Sequence, residues 1–148
     1  MDILVAFDGS EKAEAALTQA LEIAAAFDGS VTAVHAVNPA MLDLGGTEPT
    51  SFADADRQLI VESLDEAERR GLRYLESAET TAEAIGTSIR TELLYGPPVS
   101  AITTYATEEG FDAVFVGHRG LTGRAGLLLG SVARGLVERA EVPVTVVR

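Results

Sequence analysis

Apolar positions in this chain fall into two alternating kinds of run. Ile3 to Phe7 is continuous and short, as is Ala113 to Val116. A short unbroken apolar run predicts a strand buried on both faces of a parallel sheet. Val31 to Val37 carries Val, Thr, Ala and His and reads as a second strand. Ser88 to Leu94 and Val142 to Val147 read as the third and fifth, with Ala113 to Val116 the fourth. Between strands the apolar residues recur by threes and fours, the spacing of one helix face. Ala13, Ala16, Leu17, Ala20, Ala24 and Phe27 mark the first such face, with Ser10 placed to cap it. Leu64, Ala67, Gly71, Leu75, Ala78, Ala82 and Ile85 mark a long second helix over about 52–85. Val99, Ile102, Tyr105 and Ala106 mark a third, opening at Pro98. Val132, Ala133, Leu136, Val137 and Ala140 mark a fourth, opening at Ser131.

Turn chemistry separates these runs. Asp8-Gly9-Ser10, Asp28-Gly29-Ser30, Asn38-Pro39, Gly86, Gly96-Pro97 and Gly110 fall between them, and glycine, proline, Asn and Asp are the residues turns select. Residues 40–50 hold Gly45-Gly46 and Pro49 without a period, and are read as a mobile loop on the ligand side. Gly71 interrupts a helical stripe at about 1 kcal/mol relative to Ala, and marks either a close approach to the sheet or simply a weak point in the helix. Pro143 has no amide to donate and suits a strand start or an edge. The order β-α-β-α-β-α-β-α-β predicts an α/β fold: one doubly wound, Rossmann-like domain over residues 1–148. Its five-stranded parallel sheet would carry helices on both faces, with ligands beyond the carboxyl ends of the strands.

The fourth strand leads into a loop holding Gly117, Gly120, Gly123 and Gly126, and regular structure resumes at Gly130-Ser131. Glycine lets backbone approach a ligand closely and supplies positive φ. A helix starting at Ser131 offers unpaired amides and the positive end of its dipole. Strand, glycine loop and helix start together predict an anion site, with phosphate the usual occupant.

Composition narrows the field. A length of 148 residues suffices for one good core, and no apolar run approaches the roughly 20 residues of a membrane span. Met1 to Asp8 has no basic segment of the kind that opens a signal peptide. Cysteine is absent and His35 and His118 are the only histidines, which argues against a disulfide framework or a histidine-built zinc site and agrees with a cytoplasmic location. The formal charge is −12, and of the eleven cationic residues only Lys12 is a lysine. Such acidity argues against nucleic-acid and anionic-membrane partners. It is also the composition expected in a salt-loving organism's cytoplasm, where at about 1 M salt the Debye length is about 3 Å, with an ordinary acidic protein as the alternative reading. Arg119, Arg124 and Arg134 lie in or just after the glycine loop, so the field there differs from the global one.

Gly117-x2-Gly120-x9-Gly130-Ser131 matches the G-x2-G-x9-G-(S/T) pattern of the universal stress protein family. The chain resembles that family throughout: in Ile3 to Ser10, Val34-His35-Ala36-Val37, Tyr95-Gly96-Pro97-Pro98, Val114 to Gly120 and the closing Val142 to Val147. Neither a G-x4-G-K-(S/T) loop nor a G-x-G-x-x-G after the first strand is present. The resemblance implies a stress-response protein that holds ATP, with Mg or Mn as a possible counter-ion. Its phosphates would lie on Gly117, Gly120, Gly130, Ser131 and Val132, with Val116 leading into that loop. Asp8 would contact the ribose or a phosphate-bound divalent ion; read from the residues alone it is also a turn aspartate. Ala6 and Ala36 would line the adenine, or are simply core.

Arg119 either lies along a phosphate or points to solvent, whereas Arg124 reads as a solvated loop charge. His118 reads as an exposed loop histidine and His35 as a satisfied structural one. Ser131 has no histidine in motif relation to it, so no nucleophile–base pair is visible. Efficient phosphoryl transfer needs more positioned groups than these, so at most slow ATP hydrolysis is expected. The alternatives are a slow ATPase or phosphotransferase and a nucleotide-free dimeric interaction module. The resemblance also implies a homodimer through Val142 to Val147, an apolar strand that would otherwise leave a sticky edge.

Overall fold

A computed structural model of the chain describes residues 1–38, 53–119 and 128–148, and the side chains of all of these except 53–63. Its elements follow the expected order. They are β1 (Asp2–Ala6), α1 (Glu11–Ala26), β2 (Ser30–Val37), α2 (Ala53–Ala84), β3 (Arg90–Tyr95), α3 (Pro98–Glu108), β4 (Ala113–Gly117), α4 (Ser131–Arg139) and β5 (Val144–Val147). The five strands form one parallel sheet in the order β3-β2-β1-β4-β5. The chain winds outward from β1 to β3, then crosses back to place β4 on the other side of β1. That reversal opens a crevice between the carboxyl ends of β1 and β4.

Alternation along the strands sends side chains to two cores. On one face Ile3, Val5, Ala33 and Phe115 pack with Ala16, Leu17 and Ala20 of α1 and with Leu75, Ala78 and Ala82 of α2. On the other, Leu4, Val34, Val114 and Val116 pack with Ile102 and Ala106 of α3 and with Ala133 and Leu136 of α4. Central strands covered on both faces have no solvent side, which is why the sequence shows unbroken apolar runs there rather than alternation.

Several expected boundaries shift for physical reasons. Phe27 is 67% exposed, against the expectation that it belongs to the buried face of α1. It is the C-cap, its amide turned back to the carbonyls of Ile23 and Ala24, and Leu21 is buried on that helix instead. Ile85 lies beyond the end of α2 and Val137 on the outer side of α4, and both are exposed. Ala140 caps α4 rather than continuing it. The third strand starts and ends later than expected, at Arg90 and Tyr95, because its pairing runs from Thr32–Arg90 to Val37–Tyr95. β5 starts at Val144 rather than Val142; Pro143 precedes it, and its carbonyl accepts the Val114 amide at 2.8 Å. The expected mobile loop at 40–50 lies outside the described residues.

Gly71 does make the close approach expected of it. A Cβ there would stand 2.8 Å from the His35 ring and 2.8 Å from Leu93 Cδ1, so the glycine lets α2 lie against β2 and β3.

Candidate functional site

Parallel register brings the site's floor together. Ala6 pairs with Val34 on one side and Val116 on the other, so the three occupy one row across β2, β1 and β4. Above them, beyond the strand ends, lies a cleft of about 400 Å³, within the usual range of small-molecule sites. Ala6, Val34, Ala36, Pro98, Ile102 and Val116 make an apolar end. Phe7, Asp8, Ser10, Gly117, Arg119, Gly130 and Ser131 make the end beside the loops, with Val132 and Ala133 continuing along α4. The cleft is therefore an apolar slot joined to a polar mouth.

The polar mouth is built by two helix starts that differ. At α1, Ser10 is an occupied N-cap. Its Oγ accepts the Ala13 amide at 3.1 Å, and its own amide donates to Asp8 Oδ1 at 3.0 Å. At α4, the N-cap is Gly130, which has no side chain to accept from the first amides. Those amides belong to Ser131, Val132 and Ala133, residues that all line the cleft. An uncapped helix start beside a cleft supplies N–H donors and positive potential to an anion.

Gly117 and Gly130 serve different ends from the one glycine suggests. Neither is among the positive-φ residues, and Gly130 has φ −60° and ψ 154°, open to any residue. At Gly117 the constraint is packing: a Cβ would lie 2.7 Å from the carbonyl carbon of Lys12 and 2.8 Å from its oxygen. This glycine lets the first turn of α1 sit on the end of β4. The next residue closes the loop at its base, since the His118 carbonyl accepts the Gly130 amide at 2.9 Å while the His118 amide bonds Val147. Arg119 Nε donates to the Leu128 carbonyl at 3.1 Å, so its guanidinium borders the cleft tethered to the loop's far limb rather than hanging in solvent. Gly120, with Gly123, Arg124 and Gly126, lies outside the described residues.

Electrostatics at this end run against the chain's overall charge. His118 is half-buried rather than exposed. Loss of solvation pushes its pKa down, and Arg119, Arg148 and Lys12 push it further in the same direction. The chain's one lysine is thus among the cations gathered near His118. His35 also has a lowered pKa, chiefly because it is buried. Its hydrogen bond to the Phe7 carbonyl and the charge of Asp8 act in the opposite sense. It is the satisfied structural histidine expected, with Nδ1 2.8 Å from Phe7 O, and it also borders the cleft.

Of the residues singled out from the sequence, Ala6, Asp8, Ala36, Val116, Gly117, Arg119, Gly130, Ser131 and Val132 all line this one cleft. Sequence reasoning did not assign Ser10, Val34, His35, Pro98, Ile102 or Leu128 to it. Val34 was accessible through register, because it pairs with Ala6. Leu128 had no signal, standing 74% exposed at the rim. Among the described residues no group of three or more His, Cys, Asp or Glu is arranged to hold a metal ion, and no helix is long and apolar enough to cross a membrane.

The model of the universal stress protein family matches residues 1–148. A universal stress protein of Methanocaldococcus jannaschii is 34% identical over 146 residues, covering 99% of this chain and 81% of that protein. Among solved structures, a universal stress protein in complex with cAMP is 29% identical with a TM-score of 0.71, covering 100% of this chain and 97% of that one. A universal stress protein from Archaeoglobus fulgidus in complex with dAMP is 26% identical with a TM-score of 0.70, covering 100% and 98%.

Proposed function

This chain belongs to the universal stress protein family, and from that premise we propose that its cleft binds ATP and that the protein acts in stress response through its nucleotide-bound state. The observation that carries this reading is the joining of the apolar slot to the uncapped start of α4. The two relatives solved with cAMP and dAMP hold ligands that share adenine, a five-carbon sugar and phosphate. An adenine matches the slot of Ala6, Val34, Ala36, Ile102 and Val116. Phosphates match the amides of Ser131 and Val132, the Ser131 hydroxyl and the backbone at Gly117 and Gly130. Asp8 lines the same cleft at its polar end and would meet a ribose hydroxyl or a phosphate-bound ion.

A Mg or Mn ion fits this donor set only as a counter-ion of the phosphates. Asp8 is the cleft's carboxylate among the described residues, and it cannot hold a cation alone. His35, the histidine that lines the cleft, is tied through Nδ1 to the Phe7 carbonyl. The protein is accordingly a nucleotide-dependent switch with at most slow hydrolysis. A homodimer forms through β5, one of the two edge strands, whose residues are half-buried in the single chain.

The test is the nucleotide itself. Protein purified gently at high salt is denatured and the released nucleotide identified by chromatography, alongside Gly130→Asp, which sets a carboxylate at the α4 start. About one ATP per wild-type chain and none in the variant is the expected result. No nucleotide in either protein, together with no binding of added ATP and magnesium, overturns the reading.

A further inference from the structure

Asp8 lies two residues past the end of β1, in the turn that leads into α1. Both of its neighbours are held, the one before it by β2 and the one after it by α2. On the amino side, the Phe7 amide donates to the Val34 carbonyl and the Phe7 carbonyl meets His35 Nδ1, each at 2.8 Å. On the carboxyl side, Gly9 has φ +75° and rests directly on the ring of Tyr74, where a Cβ would stand 2.5 Å from Cδ1. The two holding rings brace one another edge to face, with centroids 5.2 Å apart and planes at 69°. Gly71, one turn before Tyr74, lets α2 come down onto the His35 ring.

We propose that His35 and Tyr74 are positioning residues for Asp8, clamping the peptide before it to β2 and the residue after it to helix α2, with the two rings packed on each other. The geometry accounts for three features that the cleft alone leaves unexplained: a histidine inside a buried strand, a glycine inside a long helix, and a glycine at positive φ beside an aromatic ring. An apolar residue at position 35 would fill the core as well but could not bond the Phe7 carbonyl. The neutral imidazole favoured by burial can donate from Nδ1 to that carbonyl. The clamp also joins the site to a 32-residue helix, so a shift of α2 would be felt at Asp8, and a ligand drawing on Asp8 would be felt along α2.

The inference rests on the nucleotide reading of the cleft, and a double-mutant cycle separates the two. ATP affinity is measured for the wild type, Tyr74→Leu, Asp8→Asn and the double variant, with Tyr74→Phe as the ring-preserving control. Tyr74→Leu is expected to weaken binding about fivefold, within the range an aromatic pair contributes. Tyr74→Phe should stay within about twofold of the wild type, and in the Asp8→Asn background the Leu substitution should have almost no effect. Equal losses in both backgrounds, or no loss in the first, overturn the clamp. If the wild type binds no nucleotide, it is the function that fails, and amide hydrogen exchange tests the clamp without ligand. The Ser10 amide, bonded to Asp8 Oδ1, should exchange faster in Tyr74→Leu than in Tyr74→Phe; equal exchange overturns the proposal.

Discussion

Gly117→Ala separates packing from ligand approach at the first glycine of the loop. The added methyl would meet the Lys12 carbonyl carbon at 2.7 Å, its oxygen at 2.8 Å and the Ala13 nitrogen at 2.9 Å. Ordinary contact for such a methyl is 3.4–4 Å, so the first turn of α1 must retreat by more than half an ångström. All three neighbours are backbone, and no rotamer change relieves them. Overpacking a tight core costs about 1–3 kcal/mol. A backbone-on-backbone clash between two central elements belongs at about 2–3 kcal/mol, the upper part of that range. For a chain of this length each kcal/mol moves Tm by about 2–4 °C, so Gly117→Ala should melt roughly 4–12 °C below the wild type. Thermal and urea unfolding of nucleotide-free protein are the assays, because bound ligand would mask the difference. A variant melting within 1 °C of the wild type would refute the packing argument and return Gly117 to a purely ligand-facing role.

Gly130→Ser should do the reverse: a serine N-cap gains a few tenths of a kcal/mol by accepting an α4 amide, while removing a donor from the anion. Higher Tm with at least tenfold weaker ATP binding is expected, and unchanged affinity by calorimetry would count against the α4 amides as the phosphate site. Thr32 is buried with Oγ1 unpartnered among the described residues. Thr32→Val should stabilise by about 1 kcal/mol in urea unfolding. His35 has a folded pKa below its unfolded value near 6.5, so the unfolded chain binds the extra proton first. Stability should therefore be complete above about pH 6.5 and fall as pH drops below it. His35→Gln should reduce that slope between pH 7 and 5.5, leaving the part due to His118, whose pKa is also lowered, measured as Tm against pH.

The sheet was legible because buried parallel strands leave unbroken apolar runs, and α1 was legible from a capped start and a helical stripe. What the pattern misjudged sits where an element leaves the core. Phe27 and Ile85 continue a stripe by spacing, yet the helix has already turned or ended, and spacing alone carries no record of where the sheet beneath stops. The cleft divides in the same way. Asp8, Gly117 and Gly130-Ser131 stand in turns whose chemistry is local and therefore written in order along the chain. Val34, Pro98 and Ile102 reach the same cleft only through strand register and the folding of α3 over the sheet. Gly117 is the instructive residue between these classes. A glycine at the start of a loop reads as freedom or ligand access, but a Cβ on it would run into the Lys12 carbonyl, a partner 105 positions away. The first turn of α1 and the end of β4 meet there at the topological switch point, so one glycine lets two distant segments close on each other beside the cleft. The sequence shows that a side chain is missing at this position; only the fold shows what occupies its space.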